Sequence, residues 1–424
     1  MARGAEGAES FLIKGARVID PSQGIDALLD ILIEQGVLRR MARGIGAPRA
    51  FFIDATDKVV FPGLVDMHVH LRDLGEAHKE TVATGTRAAA KGGVTAVVNE
   101  PNTLPPLDSL EAVGRWERLL RRDAVVRVWT KVCITRARKG KALAPLEELS
   151  RHPLVVAATD DGNPVPSDDV MAEAAELSAR IGLLLTPHCE DGPGLPPRGP
   201  RAFWNEPHYV ERELRLAERF GTRIHICHVS MADSIELIRR AKGRGVRVTC
   251  EATPHHLVLD QGMEAIGPDA KVNPPLRTRR DVEALQQALK EGVVDVIASD
   301  HAPHSPEEKA RGWREAPFGV IGLETSLGVI YTELVLKGVI NLEEMVRLMS
   351  FNPARILGLP VGALKVGREA DLVIFDPEAL WRVDPTTFAS KGRNTPFKGW
   401  ELKGRVLATF VRGKPVVLGG ELLL

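Results

Sequence analysis

The chain has 424 residues, 44% of them hydrophobic and 26% charged, a balance that excludes disordered and fibrous classes and suits one large domain plus a small one. Lys plus Arg and Asp plus Glu stand at 56 each, so no net basic field draws in a polyanion, and neither nucleic acid nor membrane is expected as a partner. The opening MARGAEGAES lacks a signal-like apolar run, no apolar stretch reaches 18 residues, and Cys133, Cys189, Cys227 and Cys250 form no CxxC pair, which gives the expectation of a cytoplasmic protein with small buried cysteines.

From Phe11 to Phe61, short apolar runs broken by Gly, Pro and Asp (FLIKGARVID, ALLDILIEQGVLRR, FFIDATDKVVFPG) read as antiparallel strands and hairpins. The same texture returns in ADLVIFDPE, ELKGRVLATFVRG and KPVVLGG, so residues 1–61 and 359–424 are assigned to one small β-sandwich domain built from both ends of the chain. Between them, over residues 62–358, strand-like runs alternate with helical patterns of 10 to 16 residues such as HKETVATGTRAAAKGG, DVMAEAAELSARIG and DSIELIRRAKGRG. The strand candidates are GLVDMHV, VTAVVNE, VVRVWTKVC, LVVAATD, GLLLTPH, RIHICHV, VRVTCEA and VVDVIASD, eight in all, and eight parallel strands close a (β/α)₈ barrel of the TIM type.

Polar residues gather at the ends of these strands, where barrel enzymes build their sites. His68 and His70 end the first strand at i and i+2, so both imidazoles emerge on one face. Strand four runs into Asp160 and Asp161, strand five ends at His188, strand six at His228 and strand eight at Asp300. Imidazoles and carboxylates in this number suit a pair of divalent cations, zinc first. His78, His152, His208 and His225 stand apart from strand ends and read as surface or satisfied core histidines, while the pair His255 and His256 is left open between steric and supporting roles. Arg72, Asn102, Asn273 and His304 converge on the same mouth, where Arg offers a fork for a carboxylate and Asn matches an amide edge.

These residues, in the series GARVIDP, PGLVDMHVHLR, EPNT, TDDG, HCED, HVS, TPHHL, NPPLR, SDHAPH, PFGVIGLET and READLVIFDP, resemble the amidohydrolase superfamily and, within it, the bacterial dihydroorotases. The resemblance implies His68, His70, Asp161, His188, His228 and Asp300 as ligands of two zinc ions, one of them held less tightly, with Asp300 also the catalytic proton carrier. It implies His70, Arg72, Asn102, Asn273, His304 and the Phe318–Gly319 backbone as substrate contacts. The implied reaction is reversible hydrolysis of dihydroorotate to N-carbamoyl-aspartate, run toward ring closure as the third step to UMP. A homodimer and association with aspartate transcarbamoylase are left open.

Asp73-Leu74-Gly75, Glu100 (usually an apolar residue), Met231 (usually Thr) and a short Gly192–Arg201 loop depart from the pattern, and none is an implied ligand. Two rivals remain. Hydantoinases, dihydropyrimidinases and allantoinases share the barrel but bridge their metals with a carbamylated lysine, and strand four here ends in Asp161 instead; the nearest strand lysine is Lys131. A non-catalytic, scaffolding relative is expected to have lost ligands, and none is lost.

Overall fold

The computed structural model describes residues 7–190 and 206–423; the expected short loop at Gly192–Arg201 lies outside the described residues. Strands β6 (Leu64–Val69), β7 (Val94–Asn99), β8 (Arg127–Val132), β9 (Val155–Ala158), β10 (Leu184–Leu185), β11 (Ile224–Ile226), β12 (Val248–Ala252) and β13 (Val296–Ile297) lie side by side in sequence order. β6 and β7 are buried at every residue, as parallel strands must be when covered on both faces. The ring is drawn shut by a parallel bridge between Val69 and His301, where the His70 amide donates to the His301 carbonyl at 2.9 Å.

Helices α1 (Val82–Lys91), α2 (Leu110–Asp123), α3 (Asp168–Ile181), α4 (Glu206–Phe220), α5 (Ala232–Gly243) and α6 (Arg279–Lys290) alternate with these strands and cover the outside. Their starts are set by capping: Ser109 and Ser167 accept the Ala112 and Val170 amides, and Thr81 forms a capping box with Thr84. α3 stops at Gly182, whose φ of +76° suits the left-handed C-cap. Inside the barrel, Met67, Val98, Ala157, Leu184, Val296 and Ala298 form an apolar layer. Other buried barrel positions carry polar side chains, with Glu100, Lys131, His225 and Glu251 at 0% exposure.

The two ends of the chain share a second sheet. β1 (Ser10–Asp20), β2 (Ile25–Glu34), β3 (Val37–Ala42), β4 (Phe51–Asp54) and β5 (Val59–Pro62) join β14 (Leu372–Arg382), β15 (Glu401–Val411), β16 (Lys414–Leu418) and β17 (Glu421–Leu422). The seam is antiparallel, with Pro62 opposite Leu372 and Val60 opposite Ile374. Phe11, Ile13, Ile31, Ile53, Leu372 and Phe410 from both halves fall in one core, so the sheet folds over its own apolar face. Among the described residues no helix is long and apolar enough to cross a membrane.

Candidate active site

Five barrel strands, β6, β9, β10, β11 and β13, deliver polar residues at or just beyond the ends of their ladders, and these ends converge. His68 Nε2 lies 3.4 Å from Asp161 Oδ1 and 3.5 Å from Asp300 Oδ1. His70 Nε2 lies 3.1 Å from Asp300 Oδ1 and 3.6 Å from Asp161 Oδ2. His188 Nδ1 and His228 Nε2 each stand 3.6 Å from Asp161 Oδ1. Asp161 therefore turns one oxygen toward His68, His188 and His228 and the other toward His70. Asp160 turns away: it accepts from the Thr135 amide at 3.0 Å and from the Thr135 hydroxyl, and so holds the loop.

The donors fit a metal on their own geometry. His68, His70 and Asp300, and again His68, Asp161 and His228, bring ligand atoms within 4.8 Å of one another. Buried His68 Nε2 and Asp161 Oδ1 have no hydrogen-bond partner among the described residues, a costly condition unless a cation takes their lone pairs. His188 Nδ1 faces His228 Nε2 at 3.0 Å, which brings the ends of β10 and β11 together. Burial alone raises the Asp161 carboxyl, but His68, His188 and His228 more than offset it and hold it well below the usual range. Asp300 is lowered in the same way against its burial, by His68 and His70.

A further set of side chains fixes these histidines. His68 Nδ1 meets Glu251 Oε1 at 2.5 Å, His70 Nδ1 meets Asn102 Oδ1 at 2.9 Å, and His188 Nε2 meets Asn273 Nδ2 at 3.2 Å. Buried Asp66 accepts the amides of His68 at 3.1 Å and Ser299 at 3.2 Å, tying the end of β6 to the strand end that carries Asp300. Arg72, His228 and Asp300 occupy the left-handed region, at φ +56°, +31° and +47°. Such backbone persists only where its surroundings hold it, at about 1–3 kcal/mol per residue.

A cavity of about 290 Å³ opens above the ligands, lined by His70, Asp161, His188, His228 and Asp300 together with Arg72, Asn102, Asn273, His304, Phe318 and Gly319. His68 is 0% exposed and is not among the lining residues. Arg72 Nη2 stands 3.5 Å from His304 Nε2, its Nε has no partner, and among the described residues no carboxylate comes within ion-pair distance of it. His304 Nε2–H donates to the Phe318 carbonyl at 2.8 Å, and the Gly319 amide donates to the Lys271 carbonyl at 2.9 Å, so both backbone groups are already engaged. A Cβ at Gly319, where φ is +132°, would stand 2.7 Å from the Ala302 Cβ, so the rim requires glycine there.

The remaining histidines divide. His78 is exposed, and His208 lies on α4. His152 stands 3.7 Å from Glu117, on a different surface. His225 Nε2 meets Glu251 at 3.1 Å, which ties it to the site through His68. His256 meets the Pro274 carbonyl at 2.9 Å and supports the Asn273 segment. His255 is buried with Nε2 unpartnered. His301 faces Glu80 at 3.3 Å rather than the cavity. Sequence reasoning overlooked Asp66, Glu251 and Arg138, whose guanidinium donates to the Asp161 carbonyl. Asp66 stands two residues before His68 on the same strand, which is the one signal that could have marked it.

The family model described as "Amidohydrolase family" matches residues 59–416. The chain is similar to a protein named dihydroorotase from Citrifermentans bemidjiense, 45% identical across 96% of this chain and 99% of the relative. A protein of the same name from Bacillus cytotoxicus is 41% identical across 96% and 98%. Among solved structures it is similar to the L-hydantoinase (dihydropyrimidinase) of Arthrobacter aurescens, with TM-score 0.88 and 29% identity over 98% of this chain and 97% of the other. The dihydropyrimidinase of Brevibacillus agri gives TM-score 0.87 and 25% identity over 98% and 96%.

Proposed function

The chain belongs to the amidohydrolase family, and on that premise we propose that it is a dihydroorotase, opening the cyclic amide of dihydroorotate to N-carbamoyl-aspartate and closing it again. The observation that carries the choice of substrate is Arg72, a cation in the same cavity as the ligand set and without a carboxylate partner among the described residues. A substrate that bears a carboxylate supplies that partner; simple hydantoins have none. The curated relatives' shared name agrees with this choice.

His68, His70, Asp161, His188, His228 and Asp300 would hold two divalent cations, zinc on the chemistry of the donors. When bound, such a pair supplies a water whose pKa falls from about 15.7 to about 7 and polarises the carbonyl to be attacked. Arg72 anchors the substrate carboxylate at the rim, and His304, its Nε2–H held by the Phe318 carbonyl, lines the cavity beside it. Asn102, already oriented on His70, and Asn273, on His188, present amide groups to the ring edge. The Asp300 carboxylate accepts the proton of the attacking water and delivers it to the departing ring nitrogen. The ring C–N bond breaks, and the water oxygen stays on the carbonyl carbon as the new carboxylate. Ring closure uses the same groups in reverse, and we assign this chain to that direction, the third step of pyrimidine synthesis.

The hydantoinase reading rests on the solved neighbours, but a lysine bridge needs a free amine to capture CO₂. Lys131 is 0% exposed and its ammonium pairs with Glu100, so Asp161 is the better bridge and activity should not depend on bicarbonate. A panel of dihydroorotate, N-carbamoyl-aspartate, hydantoin, dihydrouracil and allantoin, run with added zinc, tests the reading. Turnover of the first pair with little on the others is expected; preference for hydantoin or dihydrouracil would overturn it.

A further inference from the structure

The proposed chemistry makes no use of one buried ion pair. Glu100 follows β7 and Lys131 lies on β8; both side chains are fully buried, and the Lys131 ammonium contacts Glu100 Oε1. Neither the ammonium nor either carboxylate oxygen has a hydrogen bond to any other group among the described residues. The pair adjoins the ligand set: Glu100 Oε1 is 3.6 Å from His68 Nε2, the nitrogen that also faces Asp161 and Asp300. The resemblance drawn from the sequence has an apolar residue at the place of Glu100. A buried ion pair without further hydrogen bonds is a poor way to stabilise a barrel, because desolvation of the two charges offsets their attraction.

We propose that Glu100 and Lys131 act as a matched pair of fixed charges beneath the metal centre that sets how tightly this chain holds the cation on His68. The carboxylate beside His68 Nε2 favours a cation there. The ammonium behind it works against the same cation and keeps the carboxylate from closing on it. In a medium that screens little, unit charges at such spacing act strongly on a dication, so removing either partner alone shifts metal affinity, and the two shifts have opposite sign. Glu100 and Lys131 are positioning residues: Glu100 adjoins His68, Lys131 acts through Glu100, and neither lines the cavity. The inference rests on the metal-centre reading above.

The test uses the full-length, zinc-loaded protein challenged with graded chelator, with retained zinc measured by elemental analysis alongside thermal melting. Lys131→Met should retain zinc at least tenfold more tightly than the parent chain. Glu100→Gln should retain it at least tenfold less tightly, and the double variant should return to within about threefold of the parent. If Glu100→Gln does not fold, Lys131→Met compared with the double variant still decides, because the double variant must lose the gain. Single variants that both loosen zinc, or that change melting without moving zinc retention, overturn the proposal and leave the pair a packing element. A parent chain that retains no zinc at all overturns the metal-centre reading instead.

Discussion

Nδ1 of His68 and Oε1 of Glu251 stand 2.5 Å apart with both side chains fully buried. The carboxylate fixes the proton on Nδ1 and leaves Nε2 as a lone pair aimed at Asp161 and Asp300. Glu251 also accepts from His225 Nε2 at 3.1 Å and from the His228 amide at 3.4 Å, so one carboxylate sets two strand ends. Glu251→Gln should lower zinc affinity roughly 10–100-fold while the fold survives. Zinc content after dialysis, by elemental analysis, checks this, and full retention would show the contact to be dispensable.

Arg72 provides the discriminating test of substrate class. Truncating one partner of a desolvated charge pair costs about 2–5 kcal/mol, so Arg72→Met should cut kcat/KM for dihydroorotate at least tenfold with the melting temperature little changed. Steady-state kinetics with unaltered constants would place the substrate carboxylate elsewhere.

Asp300→Asn separates shape from proton transfer. Asparagine is at ease at the φ of +47° found here, so the backbone should hold while the base is lost. A fall in kcat of roughly 10²- to 10⁴-fold is expected. A variant with near-parental kcat across the pH range would remove Asp300 from the role of proton carrier.

His255 makes an acid-stability prediction. Burial, opposed by Asp300 but reinforced by His228 and His68, lowers its imidazole to about 4. Unfolded, it titrates near 6.5, so the unfolded chain binds a proton between these values that the folded chain refuses. The contribution is whole above about pH 6.5 and is lost as pH falls toward 4, by up to about 3 kcal/mol. Denaturant unfolding of metal-free parent and His255→Gln across pH 4 to 7.5 should show the variant losing less stability on acidification. Equal acid sensitivity would refute the assignment.

His68, His70 and Asp300 were legible because residues i and i+2 of a strand share a face and because each strand candidate ran straight into a polar group. The strands themselves read longer than they are: GLLLTPH and VVDVIASD contain only Leu184–Leu185 and Val296–Ile297 in the ladder. Their apolar pattern continues where the backbone has already left its partners to present His188 and Asp300. Glu251 and Lys131 were illegible for the opposite reason. A single charged residue in a strand pattern normally marks a solvent face, and only closure of the barrel puts both at 0% exposure. Asn102 was read as a substrate contact, and its oxygen is occupied with His70; which of its polar groups is spent locally depends on a side-chain angle that no spacing encodes.

The seam between β5 and β14 bears on how the chain is made. About 300 residues separate Pro62 from Leu372, its partner across the sheet. At roughly 5–20 residues per second of synthesis, the N-terminal strands wait about 15 to 60 s for the strands that will cover their edge. During that interval β5 is paired on one side only, with β1, and its other edge, which β14 will cover, is a template for other nascent chains. Yield in a cell should therefore depend on what shelters this edge during translation, more than on the stability of the finished fold.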